Sequence, residues 1–381
     1  MCKCWGDPHC TRFDGVAFDE YDVNSFTLVH SNMSSINTGN FHVRMETEGW
    51  GAKDSRGRYL ASVASKIFLE FFNDSNGNRI AIVEFDRHGN SYFRNVTNGT
   101  EEPKEPLVEG IDGNGFKFKF IKIDKWMQIS TDFGVEVTMD RLTVTIRVPY
   151  TQYRGNVYGI CGNFGAAKNT SCVGEPTNRK RPKRQTQPFE CNNDDIIDGC
   201  ENMFEAPWMT PCKSLVSKTR LGELVDACKV DYCIDPKIET KIDLIGQFIS
   251  ECREIEGNNS SLLCNWRELL PEATPKCKGN QSRKCKANNC DFVTCQDLLN
   301  NGTVCTSDGT TFDACICSPE HVLLNGDCVH RSVCKQPGWS KWGTWRECSV
   351  QESTRERTRV CHGNECPRTV DWECQNCTNG K

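Results

Sequence analysis

The sequence predicts a multidomain fold: an all-β sandwich over residues 1–172, a small disulfide-stapled helical domain, and two small disulfide-rich modules. Three observations carry that prediction. Alternating apolar runs between polar turn clusters fill the first half of the chain. Helical spacing of apolar residues marks 191–277. Of 26 cysteines, only those at 2, 4, 10, 161 and 172 precede residue 190.

The strand-like runs lie at 41–45, 67–72, 80–85, 116–123, 135–139 and 142–148, with turn-rich sequence at 73–78 and 112–115. In 142–148 apolar and polar residues alternate as a half-buried antiparallel strand requires. Residues 173–190 are rich in proline, basic residues and glutamine, and read as a basic loop or linker. In 191–277, Leu221, Leu224, Val225 and Cys228 share helical spacing, as do Ile242, Ile245, Phe248, Ile249 and Cys252. Residues 285–334 and 338–377 hold few apolar side chains, so bridges must replace a core there. Each bridge in so small a domain contributes about 2–4 kcal/mol. The pattern therefore points to an oxidising compartment. Metal binding competes at Cys2-x-Cys4, Cys315-x-Cys317 and Cys374-x-x-Cys377, but the many unequal spacings favour disulfides.

A formal net charge of -5 selects no class of partner. Ten Asn-x-Ser/Thr sequons, at Asn32, Asn73, Asn95, Asn98, Asn169, Asn258, Asn259, Asn280, Asn301 and Asn376, suit a secreted glycoprotein. No apolar run is long enough to span a membrane, and no signal peptide is evident. The expectation is a segment of a longer extracellular protein.

Two motifs far apart in the chain define the first domain. Cys4-Trp5-Gly6-Asp7-Pro8-His9 leads into Arg12-Phe13-Asp14-Gly15, and Gly159-Ile160-Cys161-Gly162-Asn163-Phe164 closes the strand-rich region. The pair resembles the von Willebrand factor type D domain. The cysteines at 191, 200, 212, 228, 233, 252, 264 and 277 resemble the eight-cysteine module that usually follows it. Cys233 leads into Ile234-Asp235, however, where that family commonly has Cys-x-Cys. Residues 285–334 resemble a trypsin-inhibitor-like module, most clearly from Cys315 and Cys317 to Cys328, with Cys334 at its end. Residues 338–377 resemble a thrombospondin type-1 repeat. Its Trp339, Trp342 and Trp345 would stack with Arg355, Arg357 and Arg359. Trp339 and Trp342 each begin a C-mannosylation-type Trp-x-x-Trp, whereas the O-fucosylation motif is absent. The order of modules resembles SCO-spondin-, mucin- and zonadhesin-like proteins.

Several residues are candidates for chemistry. The resemblance implies acid-promoted self-cleavage at Asp7-Pro8, with His9 as proton donor; the alternative is a structural turn. It also implies calcium bound through oxygen ligands, with Asp14 and Asn163 matching the family pattern. Gly165 stands where an aspartate is common. If 166–190 is an insertion, Asp194 and Asp195 supply the displaced carboxylates; otherwise the site is eroded and Asp14 caps a turn. Arg181, Lys183 and Arg184 fit a furin-type motif that would expose Gln185, with a solvated loop or heparin patch as the alternative. Cys161 reads as a structural half-cystine, because Tyr158 replaces the first cysteine of the Cys-x-x-Cys that assembly-competent relatives carry. The 306–314 segment is a candidate inhibitory loop. Half-cystine roles are also expected for Cys172, Cys228 and Cys233.

No enzyme motif is present. The expected protein is a non-enzymatic, secreted, structural or adhesive glycoprotein that self-associates or binds extracellular proteins or glycosaminoglycans, and not nucleic acid. The competing functions are a serine protease inhibitor and a processed precursor.

Overall fold

The computed structural model describes residues 1–19, 23–31, 39–55, 57, 59–73, 76–107, 118–123, 126–163, 191–256, 264, 277–299, 312–324, 326–335, 338–339, 354–362 and 370–376. Candidates at Asn32, Asn169, Cys172, Arg181, Lys183, Arg184, Asn258, Asn259, Asn301 and Trp342, and residues 306–311 of the candidate inhibitory segment, lie outside them, while 312–314 open a strand described below.

Residues 1–163 form two antiparallel sheets around a shared core. The first has seven strands in the order β11 (Phe118–Ile123), β12 (Trp126–Thr131), β13 (Glu136–Met139), β14 (Thr143–Arg147), β1 (Cys2–Trp5), β2 (His9–Thr11), β3 (Ala17–Asp19). The second runs β10 (Glu105–Pro106), β8 (Ser91–Thr97), β7 (Arg79–Asp86), β6 (Tyr59–Phe72), β5 (Phe41–Lys53), β4 (Ser25–Ser31), β15 (Val157–Tyr158), with β9 (Thr100–Glu101) beside β8. Sequence alternation sets the layers. In β5, Phe41, Val43 and Met45 point inward while His42, Arg44 and Glu46 stay half-buried outside. The inward faces meet Phe85, Phe118, Phe120, Ile129, Val144 and Ile146 in one core. A short helix, α1 (Tyr150–Tyr153), follows β14 and buries Tyr153, whose hydroxyl donates to the Gly39 carbonyl at 2.7 Å. Cys2–Cys161 ties the two defining motifs together.

Residues 191–256 form four helices: α2 (Asp194–Glu205), α3 (Thr210–Leu215), α4 (Lys218–Ile234) and α5 (Ile238–Glu256). Asn193 caps α2 by accepting the Ile196 N–H, and Asp194 and Asp195 lie in its first turn, where carboxylates suit the helix dipole. Ser217 caps α4 in the same way. Three bridges, Cys191–Cys233, Cys200–Cys228 and Cys212–Cys252, staple these helices.

The sequence boundary between 277 and 285 is crossed by two bridges, Cys264–Cys285 and Cys277–Cys315. Cys277 is therefore joined to the following hairpin, β16 (Gln281–Ala287) with β17 (Phe312–Cys317), and not to the helices. Cysteine spacing alone does not carry a partner's address, so this pairing was not readable from the chain. Helix α6 (Cys295–Leu299) and a second hairpin, β18 (His321–Leu324) with β19 (Asp327–His330), complete the unit, closed by Cys295–Cys334 and Cys317–Cys328. The unit docks on the first sheet. Phe292, Ala287 and Leu323 pack on Ile121, Ile123 and Trp126, and the nearly buried Lys119 ammonium pairs with Asp297 at 3.0 Å.

Asp297 also accepts the Thr294 N–H and hydroxyl, so it serves two elements at once. Asp297→Ala is expected to cost about 3–5 kcal/mol, because it leaves a buried ammonium unpaired. Urea titration of the full chain checks this; a loss below about 1 kcal/mol would show the pair to be solvated.

Farther on, β20 (Gly338–Trp339), β21 (Thr354–His362) and β22 (Val370–Asn376) form a three-stranded antiparallel sheet.

Candidate functional site

The Asp7-Pro8-His9 turn links β1 to β2, and Cys4–Cys10 bridges the two strands across it. The turn is not on the free surface. Trp5, before it, is 5% exposed and its ring enters the core of the helical unit, among Met203, Phe204, Leu224 and Phe248. The Arg220 guanidinium lies over that ring at 5.4 Å and reaches the Thr11 hydroxyl at 3.3 Å. Helix α4 thus runs across the end of the sheets.

Its approach needs two glycines. Gly6 has φ +60, and a Cβ there would lie 1.9 Å from Asp231 Oδ2. Gly51 has φ +70, and a Cβ there would lie 2.1 Å from Ile234 Cγ2. With that room, Ile234 joins Trp50, Ala61, Val63 and Leu142 in a second apolar contact. Arg141 extends the junction to Asp235 at 3.5 Å and to the Thr240 hydroxyl at 3.0 Å.

At the centre lies Asp231, fully buried on α4. Its Oδ1 accepts the Asp7 N–H at 3.1 Å. Its Oδ2 accepts no hydrogen bond from any described residue. The Asp7 carboxylate, also buried, accepts the Ser62 N–H of β6 at 2.8 Å. His9 has 12% of its side chain exposed; its Nδ1 lies 2.8 Å from the half-exposed Asp19 and its Nε2 lies 3.6 Å from Asp231. Burial by itself would lower the His9 pKa, but the two carboxylates outweigh it and hold the imidazolium up to about 10. Chemically, the turn is a buried, ion-paired junction built around the Asp7–Pro8 bond.

The other candidates fall elsewhere. The Phe13 N–H donates to the Cys161 carbonyl at 3.0 Å, which sets the Asp14 turn beside the Cys161–Asn163 turn. There Asp14 accepts the Val16 N–H and lies 3.6 Å from the Arg12 guanidinium, while Asn163 accepts the Gly155 N–H. These two supply one carboxylate and one amide; a calcium shell takes about six to eight oxygens. Asp194 and Asp195 are exposed at the head of α2, with helix-terminal roles of their own. Among the described residues no three His, Cys, Asp or Glu side chains cluster as a metal site. Asn98 and Asn280 are exposed sequons, Asn98 at φ +53 in the β8–β9 turn; Asn73 and Asn95 are half-buried, and Asn376 ends β22.

Sequence reasoning missed Asp231 entirely. It also missed a histidine pair, His30 and His42, stacked at 4.7 Å on the second sheet. His42 bonds to Glu70 at 3.1 Å, and His30 bonds to the Tyr158 hydroxyl. Burial first, then the neighbouring His42, push the His30 pKa down to about 4. Nothing in the spacing of residues 30, 42 and 158 signals their meeting.

The described sheets and the motif pair that they bring together define the class of the first unit. Residues 2–174 match the family model of the von Willebrand factor type D domain, and this segment is such a domain. Its relatives are large proteins. Human mucin-5AC is 26% identical over 172 residues, covering 45% of this chain and 3% of the mucin. Chicken alpha-tectorin is 22% identical across 96% of this chain and 17% of its own length. Human zonadhesin is 23% identical across 98% of this chain and 13% of its own length. The chain thus spans less than a fifth of each of these relatives. Among the described residues no helix is long and apolar enough to cross a membrane.

Proposed function

We propose that this chain is part of a secreted, disulfide-rich, modular glycoprotein with a structural or adhesive role in extracellular matrix or a mucus-like gel. The observation that carries the reading is the insertion of Trp5 into the helical core. It makes the type D domain and the helical unit one packed platform rather than two beads on a string. A platform of this kind transmits force and fixes the spacing of attached modules, which is the work of a scaffold. In this reading the chain is not an enzyme.

The finer assignments belong to the same proposal. Residues 285–334 are a trypsin-inhibitor-like module used structurally, and 338–377 a thrombospondin type-1-like repeat. The basic residues Arg355, Arg357 and Arg359 in the sequence of β21 suit sulfated glycosaminoglycans or acidic protein surfaces. Partners are extracellular proteins, glycosaminoglycans or further copies of the chain.

Light scattering of the secreted chain, with and without reductant, is the test. A covalent dimer or larger species dissolved by reductant is expected. A monomer under both conditions, with no retention on heparin, would overturn the assembly and adhesion reading together.

A further inference from the structure

We propose that Asp231, presented by helix α4, acts as a positioning residue that keeps the Asp7–Pro8 peptide bond of the type D domain intact. The inference goes beyond the scaffold role and does not depend on it. It starts from what breaking this bond requires. A carboxylate oxygen of Asp7 must attack the carbonyl carbon of its own residue and close a five-membered anhydride. The C–N bond to Pro8 then breaks, and its electron pair returns to the proline nitrogen. That nitrogen must take up a proton to leave as a secondary amine, and water must finally open the anhydride to two carboxyl groups.

The docked helix works against each requirement. Asp7 is held at two points, its N–H on Asp231 Oδ1 at 3.1 Å and its carboxylate on the Ser62 N–H at 2.8 Å. Turning the carboxylate onto its own carbonyl means giving up the second contact while the first pins the backbone. Asp7 and Pro8 are both buried, which keeps out the water that would supply a proton or hydrolyse the anhydride. The nearest acid is His9, and its charge is balanced by Asp19 at 2.8 Å and Asp231 at 3.6 Å. An imidazolium whose proton is retained up to about pH 10 is a poor donor to an amide nitrogen near neutrality. Asp19 and Asp231 are the charged groups that raise the His9 ring, and Arg220 lies over the Trp5 face.

Two features mark the carboxylate as placed for this turn and not merely buried near it. Asp231 Oδ2 is fully buried and accepts no hydrogen bond from a described residue, an arrangement that costs stability. The side chain also occupies the volume that any Cβ at position 6 would need, so the glycine of the motif admits it. A helix held at this junction only for packing would gain from an apolar residue there.

The test uses the full chain with its bridges intact. Asp231→Asn keeps the shape and an acceptor for the Asp7 N–H but removes the charge beside His9. Wild type, Asp231→Asn and the double variant Asp231→Asn with Asp7→Glu are incubated from about pH 5 to pH 8. After reduction, mass spectrometry reads the new Pro8 N-terminus. Until then Cys2–Cys161 and Cys4–Cys10 retain residues 1–7. Wild type is expected to stay whole near neutrality. Asp231→Asn should release the Pro8 N-terminus at least about tenfold faster, most strongly at the acid end, and the double variant should not.

Imidazole titration by NMR should show His9 falling from about 10 toward its ordinary value of 6.5 in the variant, which loss of packing alone would not single out. A folded Asp231→Asn chain that cuts no faster than wild type would overturn the proposal. Hydrogen exchange on wild type tests it even if the variant fails to fold. The Asp7 amide should be among the strongly protected ones, and exchange at the rate of an exposed loop would refute the clamp.

Discussion

Replacing Trp5 with alanine is expected to separate the type D domain from the helical unit. The ring is 5% exposed, yet it belongs to the core of a unit that begins almost two hundred residues later. Removing it leaves a cavity in the apolar cluster that also holds Met203, Phe204, Leu224 and Phe248, and costs about 3–5 kcal/mol as buried aromatic truncations do. It also strips Arg220 of the face it covers. The sheets keep their own core of phenylalanine and β-branched side chains, and the helices keep three bridges. The loss therefore falls on the junction. Chemical denaturation should change from one transition to two, with protease sites opening around α4. A single transition with a stability loss under about 1 kcal/mol would mean that Ile234 and Arg141 hold the junction without Trp5.

The second large effect is a loss of stability on the alkaline side. His9 carries a folded pKa of about 10 against an ordinary 6.5: burial opposes the charge, and Asp19 and Asp231 overcome it. A base whose pKa is raised by folding contributes its full stabilisation below the unfolded value. That contribution fades as pH rises from about 6.5 through about 10, because the unfolded chain gives up its proton first. The full shift corresponds to roughly 5 kcal/mol between the protonation states. The loss is local, since a neutral imidazole leaves the buried Asp231 charge uncompensated at the junction. Thermal unfolding should fall steadily from pH 6.5 to 9.5 in wild type. His9→Gln should start less stable and lose much less over that window. Parallel curves for the two chains would assign the slope to other groups.

Much of the architecture was legible in the chain. The alternation of Phe41, Val43 and Met45 with polar neighbours set the inward face of β5. The spacing of Leu224, Cys228, Ile245, Phe248 and Cys252 marked two helices whose apolar sides meet. Paired motifs around Trp5-Gly6-Asp7-Pro8-His9 and Cys161-Gly162-Asn163 pointed to the type D domain. These are local signals, because periodicity along a strand or helix records which face is buried.

What covers that face is a different matter, and only tertiary structure decided it. Trp5 leaves its own domain for another, Cys277 joins the module after it, and Lys119 finds Asp297 across 178 positions. Asp231 carries no sequence mark at all: a single aspartate in a helix reads as solvent-facing. Its burial becomes visible only when Gly6 opens space for α4 and His9 supplies the opposite charge. A residue's neighbours in the chain fix its conformation, whereas its electrostatic role depends on groups that folding brings within a few ångströms.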